Sequence, residues 1–404
     1  MAWHNGTSRY STPLHCIVMS DHLDMVGVVL KATFTQTRKT NCDGILEKTS
    51  NVFGAWKGGK YMALSQRPFS INTYALPKIW FRCHSLPLRA GDITKIDSLT
   101  KSWLYGDMLE KPEGLTMHRP VMKGGLGVHH VGCKALALLI RSFLETAINP
   151  KFTRNHFHHA LYRWHVEGDT TITKPGNSPY YNDEFYTSIR DVVTEGLLRV
   201  SSMTTKQWYR VLVEKHVTMI SPQPVEAPRT WRPAKFELNN PEVDWDRSWS
   251  YTRLRGLNSD QTSFLFKMLH NILPTNERLF RLNMKDSPAC TLCTSGVSES
   301  LEHACLECPH NNEINTWLFE LCRNEDSNCS LSDIVHLNLT ISRPLALPVI
   351  WLLSHTLFIV WTLRYNKKAI NRITVRAELE ARVNTLRKSR LASAADDVEE
   401  LLDV

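Results

Sequence analysis

Residues 290–310 read CTLCTSGVSESLEHACLECPH, the stretch of the chain in which residue type and spacing point most directly to one chemistry. Cys290, Cys293, His303 and Cys308 form a C-x2-C-x9-H-x4-C array within nineteen residues. Three thiolates and one imidazole can close a tetrahedron around a single Zn2+. With four protein ligands no position is left for a reacting water, so such a site is structural. A structural zinc contributes folding free energy on the order of 10 kcal/mol to a small module. Chelation is therefore expected to unfold this segment. Cys305, three residues before Cys308, is a spare thiol able to replace His303 or Cys308; an apolar place behind the ligands suits it better. Glu299 and Glu302 precede the histidine. Either can accept its second ring N–H and fix the ligating tautomer, and both read equally well as solvated acids on a loop.

Working outward, the flanking sequence is mainly helical. Upstream, Leu265, Met268, Leu269, Ile272 and Leu273 make an i, i+3, i+4, i+7, i+8 stripe that Pro274 should stop. Trp317 follows the array. Downstream, the spacing predicts one long helix from about 349 to 392, apolar in its first half. From Arg364 to Arg390 it carries nine basic residues against Glu378 and Glu380. Such a block suits a phosphate-facing surface, whose binding weakens steeply with salt, and it suits a solvated helix face as well. Further upstream, SPQPVEAPRTWRP (221–233) reads as a linker. Helical patches are expected near 183–200 and 204–217. Residues 150–182 read as a polar loop in which His156, His158, His159 and His165 cluster without a Cys or carboxylate to complete a metal set, so they are expected to be solvated. Leu136, Leu139, Ile140, Phe143 and Ala147 share one helical face after the turn GGLGVHHV (124–131). Helices are also expected over 41–56 and 88–110, with a bend near Pro77. Val-rich residues 25–30 suggest a short strand pair.

Composition bounds the class. The chain has 404 residues, 42% of them hydrophobic, with 12 Trp, enough for two or three packed domains. The net charge of +8, from 48 basic and 40 acidic residues, permits nucleic-acid binding without requiring it. Ten cysteines that include a CxxC pair read as reduced thiols and metal ligands, not a secreted disulfide framework. MAWHNGTSRYSTPLHC has no basic region followed by an apolar core, so no signal peptide is expected. LALPVIWLLSHTLFIVW (345–361) contains Pro348, Ser354, His355 and Thr356 and is shorter than the roughly 20 apolar residues of a membrane span, so it is expected to be a buried helix. The expected location is intracellular, cytoplasmic or nuclear, with no membrane association.

Taken in order, these segments resemble the C-terminal part of the reverse transcriptase of non-LTR (LINE-type) retrotransposons. DMVGVVL is similar to the strand that ends the palm. Trp56, QRPFSIN (66–72) and ALPKIWFR (75–82) are similar to the thumb, and GGLGV (124–128) to its GGLG box, with Ala135 and Ala137 after it. MLHNILPTNERL (268–279) and CTLC…ESLEHACLEC with Trp317 resemble the zinc-binding domain. The resemblance implies a mainly α architecture. Residues 1–40 would be the palm end with its strand pair, 41–150 a thumb-like helical bundle, and 151–235 a helical connection with a Pro-rich linker. Residues 236–330 would be the second helical domain with a small CCHC zinc module, and 331–404 the apolar then basic C-terminal helix.

The departure from the family matters too. Polymerisation needs paired aspartates that hold two Mg2+, and the family places them before the LGV strand. Asp396-Asp397 lies in an acidic tail, and Asp21 and Asp24 lie near the first residue. No PD…(D/E)xK nuclease pattern follows the array. The expectation is a truncated, non-catalytic product of a retroelement that binds RNA or single-stranded DNA weakly through Arg364, Lys367, Lys368, Arg372, Arg376 and Lys388. Arg67 and Lys78 are secondary candidates. An intact retroelement protein is a candidate partner that would carry the palm. The competing reading is a structural or protein-interaction module stapled by the same zinc.

Overall fold

In the computed structural model the described residues are 23–25, 28–56, 62–106, 108, 111–112, 114–148, 156–176, 178, 180–194, 202–219, 240–293, 295–341, 343–388 and 392–402. The Pro-rich segment 221–233 lies outside them. Strands β1 (Leu23–Met25) and β2 (Val28–Leu30) form an antiparallel pair with Leu23 opposite Leu30. Helix α1 (Phe34–Ala55) begins earlier than its apolar period at Asn41, because Thr33 caps it by accepting the Gln36 N–H at 3.3 Å. Asn41, buried in α1, fastens the hairpin to the helix. Its carboxamide accepts the Val29 N–H at 3.0 Å and donates to the Val29 carbonyl at 2.7 Å.

Helices α2 (Arg67–Ser70) and α3 (Pro77–Cys83) are joined by a π-helical turn over Ile71–Ala75. Pro77 stands at the first position of α3, where its missing N–H costs nothing. Helix α4 (Ala90–Tyr105) and two 3-10 turns (Gly114–Met117, Val121–Lys123) lead to α5 (Val131–Ile148). The expected loop at 150–182 is in part helical. It contains α6 (His156–Tyr162) and a π turn (Arg163–Glu167), which bury Leu161, Tyr162 and Val166. Of its histidines, the exposed His159 has its Nδ1 3.0 Å from the Ala147 carbonyl, and the half-buried His158 has its Nδ1 2.9 Å from the Thr146 hydroxyl. His165 stacks on Tyr186. They dock α6 and its turn on neighbouring helices and are not simply solvated. Helices α7 (Asp183–Thr194) and α8 (Thr205–Met219) complete a core with α5 and α6, built on Ile140, Phe143, Phe185, Ile189 and Trp208. The stripe on α5 read from the sequence faces this core.

The rest of the described chain comprises α9 (Trp245–Tyr251), α10 (Ser259–Leu269), α11 (Asn276–Arg281), α12 (Asn312–Glu325), α13 (Leu331–His336), α14 (Arg343–Tyr365), α15 (Arg372–Arg387) and α16 (Ala392–Leu402). Asn258 and Gln261 form a capping box that starts α10. The helix ends at Leu269, before Pro274 is reached, because Asn271 turns the chain at φ +50°. Leu273 is still buried against the core. Helix α14 is the rod of this half. Its segment Ala346–Tyr365 is long and apolar enough to cross a membrane, yet 72% of that apolar window is buried inside the fold, against α10, α12, α15 and α16.

The C-terminal region is not one continuous helix. Lys367 adopts φ +52°, and Asn371 starts α15 by accepting the Thr374 N–H at 2.8 Å. In the run YNKKAIN residues 365–369 are exposed and only Ile370 packs against the core, too little to hold a helix there, so the chain turns back. Helix α15 then lays Val375, Leu379 and Val383 on the rod. A single apolar core runs from α1 and α3–α5 into α9, α10 and α12–α16. The two parts meet at the GGLGV box. Gly124 has φ +73°, and a Cβ there would fall 2.6 Å from the Trp249 ring; one on Gly125 would fall 2.0 Å from the Arg119 carbonyl. Glycine is the residue both positions admit. His270 Nε2–H donates to the Gly124 carbonyl at 2.8 Å, closing the joint.

Candidate metal centre

The knuckle is built by backbone before any metal is considered. An antiparallel bridge pairs Ala289 with Ser298, and Gly296 at φ +70° turns the strand back on itself. Cys290 N–H donates to the Val297 carbonyl at 2.9 Å. The Leu292 and Cys293 N–H groups each point at Cys290 Sγ at 3.4 Å, a cradle of donors that suits a thiolate. The H-x4-C half is one turn of π-helix over His303–Glu307, closed by the Cys308 N–H on the His303 carbonyl at 3.0 Å. That five-residue spacing sets His303 and Cys308 one above the other. Single π turns often mark functional positions. Asn311 donates to the Ala304 and Cys305 carbonyls at 3.1 and 3.3 Å and holds the turn.

The four predicted ligands converge. Cys290, Cys293, His303 and Cys308 are all buried, and their candidate ligand atoms lie within 4.8 Å of one another. His303 Nε2 is 3.4 Å from Cys293 Sγ, close to the nitrogen–sulfur edge of about 3.5 Å expected for a tetrahedron with zinc bonds of 2.0–2.3 Å. The Ser295 hydroxyl lies 2.9 Å from Cys293 Sγ, and this hydrogen bond draws the thiol down to about 7. Burial pushes the Cys308 thiol up, against the opposing pull of Arg364. A donor set of three sulfurs and one imidazole, shielded from solvent, fits a structural Zn2+. Bound there, the ion would cross-link the knuckle to the π turn. Cys305 is fully buried among Leu301, Leu306 and the helices behind the site and does not join the ligands. Burial pushes its thiol up to about 12.

Arg364 is the residue that the sequence pattern misplaces. The pattern puts it on a nucleic-acid face, but it is 7% exposed and lies against the metal site. Its Nη2 donates to Cys290 Sγ at 2.9 Å and to Glu299 Oε2 at 2.7 Å. Burial alone would lower its pKa; bonds to Glu299, Cys308 and Cys290 outweigh that and raise it further above its ordinary value. Three thiolates and a neutral imidazole around a dication would carry one net negative charge, and the guanidinium at the end of α14 would meet part of it through Cys290 while it pairs with Glu299. Glu299, a candidate to orient the histidine, is committed elsewhere: it accepts from Arg364 and from the Asn276 side chain at 3.0 Å. Lys285 reaches the same chain of contacts through Asn276 Oδ1.

The other basic candidates separate. Lys367 and Lys368 are exposed in the turn between α14 and α15, and Arg372 is exposed at the first position of α15. Arg376 is half-buried and pairs with Glu380 at 2.9 Å, and Lys388 is exposed at the far end of α15. Arg387 pairs with Glu399, and Arg382 lies over the Phe358 ring. Arg67, a secondary candidate, is 9% exposed and donates to the Leu104 carbonyl at 2.7 Å, so it is structural; Lys78 is exposed.

With this geometry in place, residues 235–317 match the family model described as zinc-binding in reverse transcriptase. A reverse-transcriptase-associated zinc-binding domain therefore occupies this part of the chain, and the match spans all four ligand positions and ends at Trp317. No curated protein matches the chain.

Proposed function

We propose that the chain is a retroelement-derived, zinc-stapled protein that binds RNA or single-stranded DNA and does not itself polymerise. The observation that carries this reading is the link from the reverse-transcriptase zinc-binding domain through Arg364 to an exposed basic turn. Cys290 and Glu299 fix the end of α14, and Lys367, Lys368 and Arg372 follow directly on that anchor. A rigid origin reduces the ordering cost of placing three cations on phosphates. The chemistry of the closed four-ligand cluster is structural, so its contribution is to hold that surface in place. Polymerisation would belong to a protein with a paired-aspartate palm.

The test is fluorescence anisotropy of a labelled single-stranded RNA with the full zinc-loaded chain at 50 and 200 mM salt. Three phosphate contacts on a single strand give a slope near −2 in log K against log salt, about a twenty-fold loss between these concentrations. Lys367→Ala/Lys368→Ala/Arg372→Ala should remove most of that binding. A folded, zinc-loaded chain with no affinity at 50 mM salt would sink the reading. A second reading, a protein-interaction module, is favoured by the dispersal of the remaining basic residues: Arg376 and Arg387 sit in intramolecular ion pairs and Lys388 stands at the C-terminal end of α15. Absence of RNA binding would leave that one standing.

A further inference from the structure

Among the described residues, a second group of metal-ligating side chains converges far from the knuckle in sequence. Asp97 comes from α4, His118 from the turn after Gly114–Met117, and His130 from the residue before α5, and one ligand atom from each lies within 4.8 Å of the others. His118 is 7% exposed, and its ring centroid is 4.7 Å from that of His130. Asp97 Oδ1 is shut off from solvent and has no hydrogen-bond donor. A buried carboxylate oxygen left in that state is costly unless a cation or proton meets it.

The hydrogen bonds around the group define what it can hold. His118 Nδ1 lies 3.0 Å from the Val128 carbonyl, so it carries the proton, which sets the tautomer with the lone pair on Nε2. An imidazole that donates its far N–H to a backbone carbonyl is the usual outer support of a metal-binding histidine. His130 is positioned in part by its backbone N–H, which goes to the Tyr209 hydroxyl at 3.0 Å, and by its Nδ1, which accepts the Cys133 N–H at 3.2 Å. Ligation through its Nε2 displaces the proton there and moves one to Nδ1, with loss of the bond from Cys133.

We propose that Asp97, His118 and His130 form a second metal site, a set of two imidazoles and one carboxylate for a divalent transition ion of the zinc class. These donors match the nitrogen and oxygen preferences of such ions and lack the soft sulfurs of the knuckle. The three ligands belong to α4, the turn ahead of the GGLGV box and the start of α5. An ion there would pin these elements together beneath the box, independently of the knuckle and of nucleic-acid binding.

The test counts metal on the full chain. Protein stripped with chelator and reloaded with Zn2+ should bind two ions. Asp97→Asn, which keeps size and hydrogen-bonding capacity, and His118→Ala should each bind one. Cys290→Ser/Cys293→Ser loaded with Co2+ should show d–d absorption without thiolate-to-cobalt charge transfer. If that knuckle variant does not fold, the comparison of wild type with Asp97→Asn in the intact chain still decides. One ion on the wild type, with Asp97→Asn unchanged at one, overturns the proposal; so does a second ion that survives both substitutions, because it is then bound elsewhere.

Discussion

Arg364 carries more of the metal centre than its place in a basic run suggests. It is one member of a buried pair with Glu299, and removing one partner of such a pair leaves the other charge uncompensated, which costs roughly 3–5 kcal/mol. Arg364→Met should therefore destabilise the fold by about that amount in urea denaturation. It should also weaken zinc by about 10–100-fold in competition with a chelator, the usual effect of removing an outer support. Unchanged zinc affinity would show that the guanidinium does not stabilise the thiolates. Gly124→Ala is a second sensitive position. The new Cβ meets both a left-handed φ and the Trp249 ring at 2.6 Å, so a loss of about 1–3 kcal/mol is expected by the same denaturation measurement. The ligands themselves are legible in the sequence because a knuckle and a π turn are local, and local geometry leaves a fixed spacing. Arg364 is not, since it stands 74 residues from Cys290, and only the packing of α14 brings it there.

The break between α14 and α15 shows how an element is misread. The many Arg, Lys, Glu, Ala and Leu residues of 364–390 favour helix, and charge alone gives no stop signal. The turn depends on Asn371 as a cap and on Lys367 in the left-handed region, both features that a count of basic residues conceals. Likewise α6 is hidden because only Leu161, Tyr162 and Val166 of its run are buried, while histidine ring contacts supply the rest of its docking. By contrast, the stripe on α5 is legible, since a helix that faces a core along its length repeats its apolar residues at a fixed period. A non-glycine residue in the left-handed region costs about 1 kcal/mol. Lys367→Gly should accordingly hold stability or raise it by up to about 1 kcal/mol in thermal denaturation, while the salt slope of RNA binding falls by about 0.7. A stability loss above about 1 kcal/mol would mean that the lysine side chain itself holds the turn.

One apolar core joins the helices before and after the zinc-binding domain, and the half-buried His270 and the buried His355 lie against it at separate points, so acid should strain the whole molecule at once. His270 closes the joint at Gly124; burial, aided by Arg119, holds it at about 3 despite the bond to the carbonyl. His355, inside α14, stacks on Trp351 and donates its Nδ1–H to the Trp351 carbonyl at 2.8 Å. Burial, with Arg382 adding to it, likewise brings it to about 3. Both folded values lie below the ordinary 6.5, so between pH 6.5 and about 3 the unfolded chain binds more protons than the folded one. Stability from these two groups is therefore fully present above pH 6.5 and falls as pH drops through that window, by about 1.4 kcal/mol per histidine between pH 7.5 and 5.5. Protonation of the metal thiolates acts in the same direction, so the total slope does not isolate the histidines. The difference between wild type and His355→Leu does, since both retain the knuckle. The variant should lose about 1.4 kcal/mol less than wild type between about pH 7.5 and 5.5 in urea denaturation, whatever its absolute stability. Equal losses in the two proteins would mean that His355 is already charged in the folded state or is hydrated, and that the apolar rod does not exclude the proton.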